Sequence, residues 1–186
     1  MIEAERKKQT NIIEYILFMF HTEDLLRSHQ LNPKLVVEQL VDKSDKPYKE
    51  KIELKKWYLE TIESMERENI QDAGHLSEVI EIIGELSYLH KALMNVFQDR
   101  EYLDLWEKAY PNIIELAEKT NGQTLNPIEL CFNGVYGVLI LRLKKQQVHQ
   151  ETLKAVETFS EMLRHLGKRY QDIREGRLRF PSSMNN

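Results

Sequence analysis

The chain has little of what marks disulfide-rich, zinc-binding or loop-rich proteins, since its 186 residues include one cysteine, five prolines and seven glycines. The single cysteine, Cys131, excludes an internal disulfide and any zinc site built from several cysteines. A lone thiol fits a reducing compartment, so we expect a cytoplasmic protein. The scarcity of proline and glycine leaves few turn signals, which favours long helices.

The sequence also lacks an apolar run of the roughly 18 to 20 residues that a membrane-spanning helix needs. Its most apolar stretch, residues 130–141, is shorter and contains Asn133. The N-terminal segment superficially resembles a signal peptide, but Glu14 interrupts its apolar part and no small-residue cleavage site follows. We therefore expect a soluble protein with no membrane partner, and an ordinary buried helix over residues 11–28.

Hydrophobic periodicity and capping residues predict an all-α fold, a single-domain bundle of about seven helices around a buried central helix. Asn32-Pro33 and Asn126-Pro127 each place a capping residue before a proline at the first helical position. We expect one domain over residues 1–175 and a loosely ordered C-terminal tail over residues 176–186. The predicted helices cover residues 11–28, a short segment from 33, a long segment from 47, and residues 76–98, 99–119, 128–143 and 150–173.

Three of these helices carry more specific expectations. The helix over residues 99–119 contains Pro111, which should kink or split it. The helix over residues 128–143 is apolar nearly all round, so we expect it to be the central, most buried helix, with residues 138–141 as plain core. The helix over residues 76–98 has an apolar seam at alternating three- and four-residue spacing, formed by Leu76, Val79, Ile83, Leu86, His90, Leu93 and Phe97.

Five polar residues interrupt otherwise apolar segments and form a candidate polar cluster. Carboxylates and a histidine that converge inside a bundle could hold a metal or a small ligand. The Glu-x-x-His motif of di-iron bundles is absent from the sequence, and buried polar residues usually satisfy one another. We therefore predict no catalytic residue, no metal ligand and no cofactor. The candidate cluster consists of Glu14, His90, Glu129, Asn133 and Tyr136.

Gly134 and Gly137 stand inside the predicted central helix, where each lowers helix stability by up to about 1 kcal/mol relative to alanine. Without a Cβ, they allow another backbone, a ring or a small ligand to approach closely. The two interpretations, a close helix crossing and a ligand crevice beside Tyr136, both remain open. Cys131 lies between Leu130 and Phe132, so we expect an unreactive, buried thiol.

Charge is distributed unevenly along a chain of net charge −4 and pI about 5.9. Residues 142–179 contain ten Lys or Arg against five Asp or Glu. A basic stretch could attract nucleic acid, but the pI is far below the value above about 9 of a dedicated nucleic-acid domain. We expect no nucleic-acid partner. The glutamates of residues 60–85 could in principle hold magnesium, although solvated helix faces are the favoured interpretation.

Three segments carry a resemblance to a known family: NIIEYILFMFHTEDLLR, GHLSEVIEIIGELSYLH and ELCFNGVYGVLILRLKKQQVHQET. The chain resembles the helical proteins catalogued as domain of unknown function 4924, found mainly among Bacteroides and their relatives. The resemblance covers most of the length and implies a bacterial, cytosolic, all-helical protein with no assigned activity. It carries over no catalytic residue.

The function expected from these observations is that of a non-enzymatic helical protein acting through oligomerisation or a protein partner. Missing catalytic motifs and helices with apolar residues on more than one face favour it. The alternative is a small-ligand or metal-binding bundle with polar residues converging beside the central helix.

Overall fold

The computed structural model describes residues 2–120 and 126–180. The predicted all-α, single-domain bundle class is confirmed, since the described residues form eight α-helices and one π-helical turn and no strand. The turn, Val37–Asp42, continues directly from α3. The helices are α1 Glu3–Thr10, α2 Ile12–Ser28, α3 Pro33–Val36, α4 Tyr48–Arg67, α5 Ser77–Asn95, α6 Arg100–Lys119, α7 Pro127–Leu143 and α8 Gln150–Arg174.

Helix α1 was not predicted, because it lacks the apolar periodicity by which a helix is recognised. Ala4 is its one buried side chain. The helix is supported instead by charge, since Glu3 forms ion pairs with Arg6 at 2.6 Å and with Lys7 at 3.5 Å, one turn further along. Each such pair contributes little to helix stability, and ion pairs leave no apolar periodicity in the sequence.

The two predicted cap-then-proline starts are confirmed. The Asn32 side chain accepts hydrogen bonds from the backbone N–H groups at the start of α3, and Asn126 does the same for α7. Asp99 caps helix α6, and its carboxylate accepts the N–H of Tyr102 at 3.1 Å. Of the expected kink or split at Pro111, the split is wrong, since α6 continues as one element from Arg100 to Lys119; the kink stays a prediction.

Contacts within the chain define two compact units. The first comprises the residues through Thr10 together with Glu14–Glu81. Its core is supplied mainly by α2, whose large side chains are joined by residues from α3, α4 and the start of α5. The buried residues include Tyr15, Ile16, Met19, Phe20, Leu26, Val36, Val41, Ile62, Met65, Leu76 and Val79.

The second unit comprises Asn11–Ile13 and the chain from Ile82 onward. Most of the seam predicted for α5 is buried, including Leu86 and Leu93, which are fully inaccessible. Gly167 of α8 allows close packing, because a Cβ there would stand 2.6 Å from Cγ1 of Ile13. The remaining core comes from α6, α7 and α8. It includes Tyr102, Ala109, Ile113, Ile128, Leu130, Cys131, Phe132, Phe159, Met162, Leu163 and Leu166.

Helix α7 is buried over its N-terminal half only, which corrects the expectation of a wholly buried central helix. Between Asn133 and Leu143, a fully described stretch, Val138 alone is buried, and Leu143 is 57% exposed. The prediction of plain core over residues 138–141 is therefore wrong. Apolar composition predicts burial only if neighbours surround the helix, and α6 and α8 cover one side of this half.

Part of the predicted C-terminal tail is held in place. The Arg177 side chain donates to the Asp172 carboxylate at 2.8 Å, and the Phe180 ring lies 5.2 Å from that of Phe97. Residues 181–186 lie outside the described residues. The boundary at residue 175 stays a prediction.

Candidate functional site

The five candidate polar residues are divided between the two units. Glu14 lies on the surface of the first unit, where its carboxylate pairs with Lys7 at 2.7 Å and remains 57% exposed. The other four residues belong to the second unit. Glu14 was selected because its neighbours in sequence are apolar, but its position around α2 points it outward.

His90 lies in the interior of the second unit, at 6% exposure. Its Nδ1 is 2.8 Å from the Tyr102 hydroxyl, and its ring is 4.5 Å from that of Trp106. Burial, with a smaller contribution from the charge of Lys91, lowers the pKa of His90 to about 4. The ring is neutral at pH 7, and its Nδ1 shares a hydrogen bond with the Tyr102 hydroxyl. This geometry fits the interpretation of His90 as a buried histidine that has a hydrogen-bonding partner.

Acidification should destabilise the fold through this ring. The unfolded chain binds a proton at His90 below the ordinary pKa of 6.5, whereas the folded chain excludes it until about pH 4. The contribution of His90 to the free energy of unfolding is therefore fully present above about pH 6.5. It falls by about 3 kcal/mol towards pH 4, at 1.36 kcal/mol per pKa unit. His90→Asn keeps a hydrogen-bonding partner for Tyr102 but cannot titrate. Urea denaturation should show a shallower pH dependence for this variant, and identical profiles would contradict the assignment.

Glu129, Asn133 and Tyr136 are all half-buried on α7, and Asn133 lines a cavity. In the described segments 2–120 and 126–180, no group of three or more His, Cys, Asp or Glu side chains lies close enough to hold a metal ion. Cys131 is fully buried, and burial raises the pKa of its thiol. The expected burial of this thiol is confirmed.

A groove of about 580 Å³ lies where α6, α7 and α8 meet, and we call it the α6–α8 groove. Its floor is the side of α7 that carries Gly134, Gly137, Val138 and Leu141, at spacings that share one helix face. Leu116 supplies one wall from α6. Ala155, Val156 and Phe159 supply the other wall from α8.

The two glycines of the floor have different surroundings. A Cβ on Gly134 would lie 3.0 Å from the Phe159 ring and 3.2 Å from Leu116, so this glycine allows close helix packing. A Cβ on Gly137 would meet nothing within 4 Å, so this glycine faces open space. Of the two interpretations left open by the sequence, close helix packing therefore fits Gly134, and an open crevice fits Gly137.

Charged residues stand at the rim of this groove. Lys119 pairs with Glu115 at 2.6 Å, and Glu151 of α8 lines the same opening. Asn112 of α6 donates to the Thr158 hydroxyl of α8 at 3.2 Å. The result is an apolar interior with a polar, net acidic rim.

A network around Asp99 was missed by sequence reasoning. Its Oδ2 accepts from Arg169 at 2.7 Å and lies 3.3 Å from His165 Nε2, while the side chain is 7% exposed. Burial opposes ionisation, but the hydrogen bonds from Tyr102 N–H, His165 and Arg169 outweigh it and hold the pKa of Asp99 below its ordinary value. The capping rule identifies Asp99 from sequence, whereas no local pattern reveals partners about seventy positions away.

A second missed group is a buried acid in the first unit. Glu23 is fully inaccessible, and its two oxygens accept the Leu76 N–H at 3.0 Å and meet His75 Nδ1 at 2.6 Å. The His75 ring is stacked on Phe20, with centroids 3.6 Å apart. Glu23 therefore anchors the chain just before α5.

Part of the basic stretch over residues 142–179 forms ion pairs within the fold. Arg169 pairs with Asp99 and Asp172, and Arg177 pairs with Asp172 at 2.8 Å. Arg164 and Lys168 instead line a second, charged cleft of about 570 Å³ between α6 and α8, together with acids such as Asp104. This cleft mixes both signs of charge.

Comparison with known proteins identifies one family. The model described as "Domain of unknown function (DUF4924)" matches residues 1–177. Neither a curated protein nor a solved structure matches the chain. Among the described residues, no helix is both long enough and apolar enough to cross a membrane.

Proposed function

The chain belongs to the family described as a domain of unknown function, DUF4924, and we propose that it is a non-enzymatic helical protein that acts through self-association. The observation that supports this proposal is the incomplete cover on α7. A helix that is apolar all round is normally buried on all sides. The C-terminal half of α7, however, is not buried on all sides.

The surface in question is the side of α7 that faces away from the α6–α8 groove. Tyr136, Leu139, Ile140 and Leu143 share it at i, i+3, i+4 and i+7, and we call it the outer face of α7. The first three are half-buried and Leu143 is 57% exposed. This spacing is that of a seam between packed helices.

A second copy of the chain is the occupant that the outer face favours. Between Glu129 and Arg142, α7 has no charged residue, so two copies can meet there without repulsion between like charges. A two-fold arrangement brings the same patch of each copy together and closes the assembly at a dimer. Burial of the four side chains then supplies the attraction.

Sedimentation equilibrium over a wide concentration range tests the proposal. We expect the wild type to dimerise, and Leu143→Arg to weaken dimerisation by at least about tenfold, because a charge in an apolar interface is costly to desolvate. Ile114→Arg is the matched control, since Ile114 is 41% exposed on α6 and should leave dimerisation unchanged. A wild type that stays monomeric, or equal effects of the two variants, would overturn the proposal.

We also propose a bacterial protein that works in the cytoplasm. The lone, buried thiol of Cys131 supports a reducing compartment, and the sequence resemblance supports the source. We propose that its partners are proteins rather than nucleic acid or membrane.

A further inference from the structure

We propose that the α6–α8 groove binds a small, largely apolar molecule that carries a positively charged end. This site is separate from the outer face of α7, so the inference does not depend on self-association. Three features of the second unit support it: the size of the groove, the open space above Gly137 and the charges at the rim.

The size and lining of the groove suit a small molecule. Small-ligand sites are commonly clefts of about 300 to 1,000 Å³, mostly apolar and with a few polar groups. The groove holds about 580 Å³ and has walls from three helices. Leu116, Leu141 and Phe159 offer apolar surface, and the half-buried Asn133 offers an amide at the edge of the floor.

The floor keeps this volume open at Gly137. A side chain at this position would project into the groove, because nothing lies within 4 Å of where its Cβ would stand. Gly84 on α5 has equally open surroundings but does not line the groove. The two positions therefore form a matched pair, in which the same substitution fills the groove in one case and only covers helix surface in the other.

The rim selects the charge of the ligand. Lys119 is already paired with Glu115 at 2.6 Å, and Glu151 lines the same opening, where its charge also acts on Lys119. The two acids and one cation leave the rim with a net negative charge. An ammonium group placed there gains a carboxylate partner, whereas a carboxylate meets two acids and a cation that is already neutralised. Because these side chains are largely exposed, the preference should be modest.

Isothermal titration calorimetry with two matched probes, dodecylammonium and dodecanoate below their micelle-forming concentrations, tests the proposal. Wild type should bind dodecylammonium at least about threefold more tightly than dodecanoate. Gly137→Leu should weaken binding by at least about tenfold, because its side chain occupies the apolar volume. Gly84→Leu should bind like wild type, and Glu151→Gln should remove most of the preference for the ammonium.

Leucine is a better helix former than glycine, so both glycine variants should fold. The proposal is overturned if wild type binds neither probe, if dodecanoate binds as tightly as dodecylammonium, or if the two glycine variants behave alike. It is also overturned if Gly137→Leu abolishes dimerisation, since the groove would then hold a second copy. Normal probe binding by a monomeric wild type would contradict only the proposed self-association.

Discussion

Glu23→Ala is expected to lower the free energy of unfolding by about 3 to 5 kcal/mol, the usual consequence of removing one partner from a buried, hydrogen-bonded pair. The substitution leaves the Leu76 N–H without its acceptor and His75 without its carboxylate. It also opens a cavity beside Phe20, against which His75 stacks. Urea denaturation followed by circular dichroism measures the loss.

Two variants separate the causes of this loss. Glu23→Gln keeps an oxygen for the Leu76 N–H and nearly the same volume, so it should cost clearly less than alanine. Glu14→Ala removes an acid from the same helix at a position that is 57% exposed, and it should change stability by no more than about 0.5 kcal/mol. If Glu23→Ala were as mild as Glu14→Ala, Glu23 would not anchor the start of α5.

Asp99→Ala is expected to cost about 3 kcal/mol, since one carboxylate has two functions. As the N-cap of α6 it contributes about 1 kcal/mol. As the acceptor for Arg169 and for the buried His165, it makes charge-assisted bonds worth about 1.5 to 3 kcal/mol. Asp99→Asn keeps a good capping side chain but loses the charge, so about half of the effect should remain.

The same residue should produce an acid-sensitive contribution to stability. The pKa of Asp99 is held below its ordinary value of 3.8. Its contribution is therefore present above about pH 4 and is lost as the pH falls through the lower folded value. Urea denaturation at neutral and at acidic pH should show the wild type and Asp99→Asn converging in stability as the acid is neutralised. A difference that stays constant would assign the whole effect to capping.

Much of the secondary structure was predictable because its causes are local. Asn32 and Asn126 cap the helices that they were expected to cap, since a short side chain reaches the N–H groups two and three positions ahead. The seam of α5 is largely buried, because three- and four-residue spacing places its members on one face. Helix α1 escaped prediction since ion pairs, not apolar periodicity, support it.

The candidate site was predicted only in part. Gly134, Gly137 and Asn133 drew attention because they interrupt an apolar helix, and all three line the α6–α8 groove. The five candidate polar residues are divided between the two units, and residues in apolar surroundings along the sequence can point in any direction around a helix. Glu14 points outward and His90 pairs with Tyr102.

The sequence by itself determined the fold class, most helix starts and the apolar character of α7, because each depends on residues within a few positions of one another. The tertiary structure alone decided that α7 is buried on one half only, that Gly137 faces open space, and that Glu23 and Asp99 hold partners about fifty to seventy positions away. Those features depend on which helix faces meet. Apolar attraction has no direction, so composition specifies that a face should be covered but not what covers it.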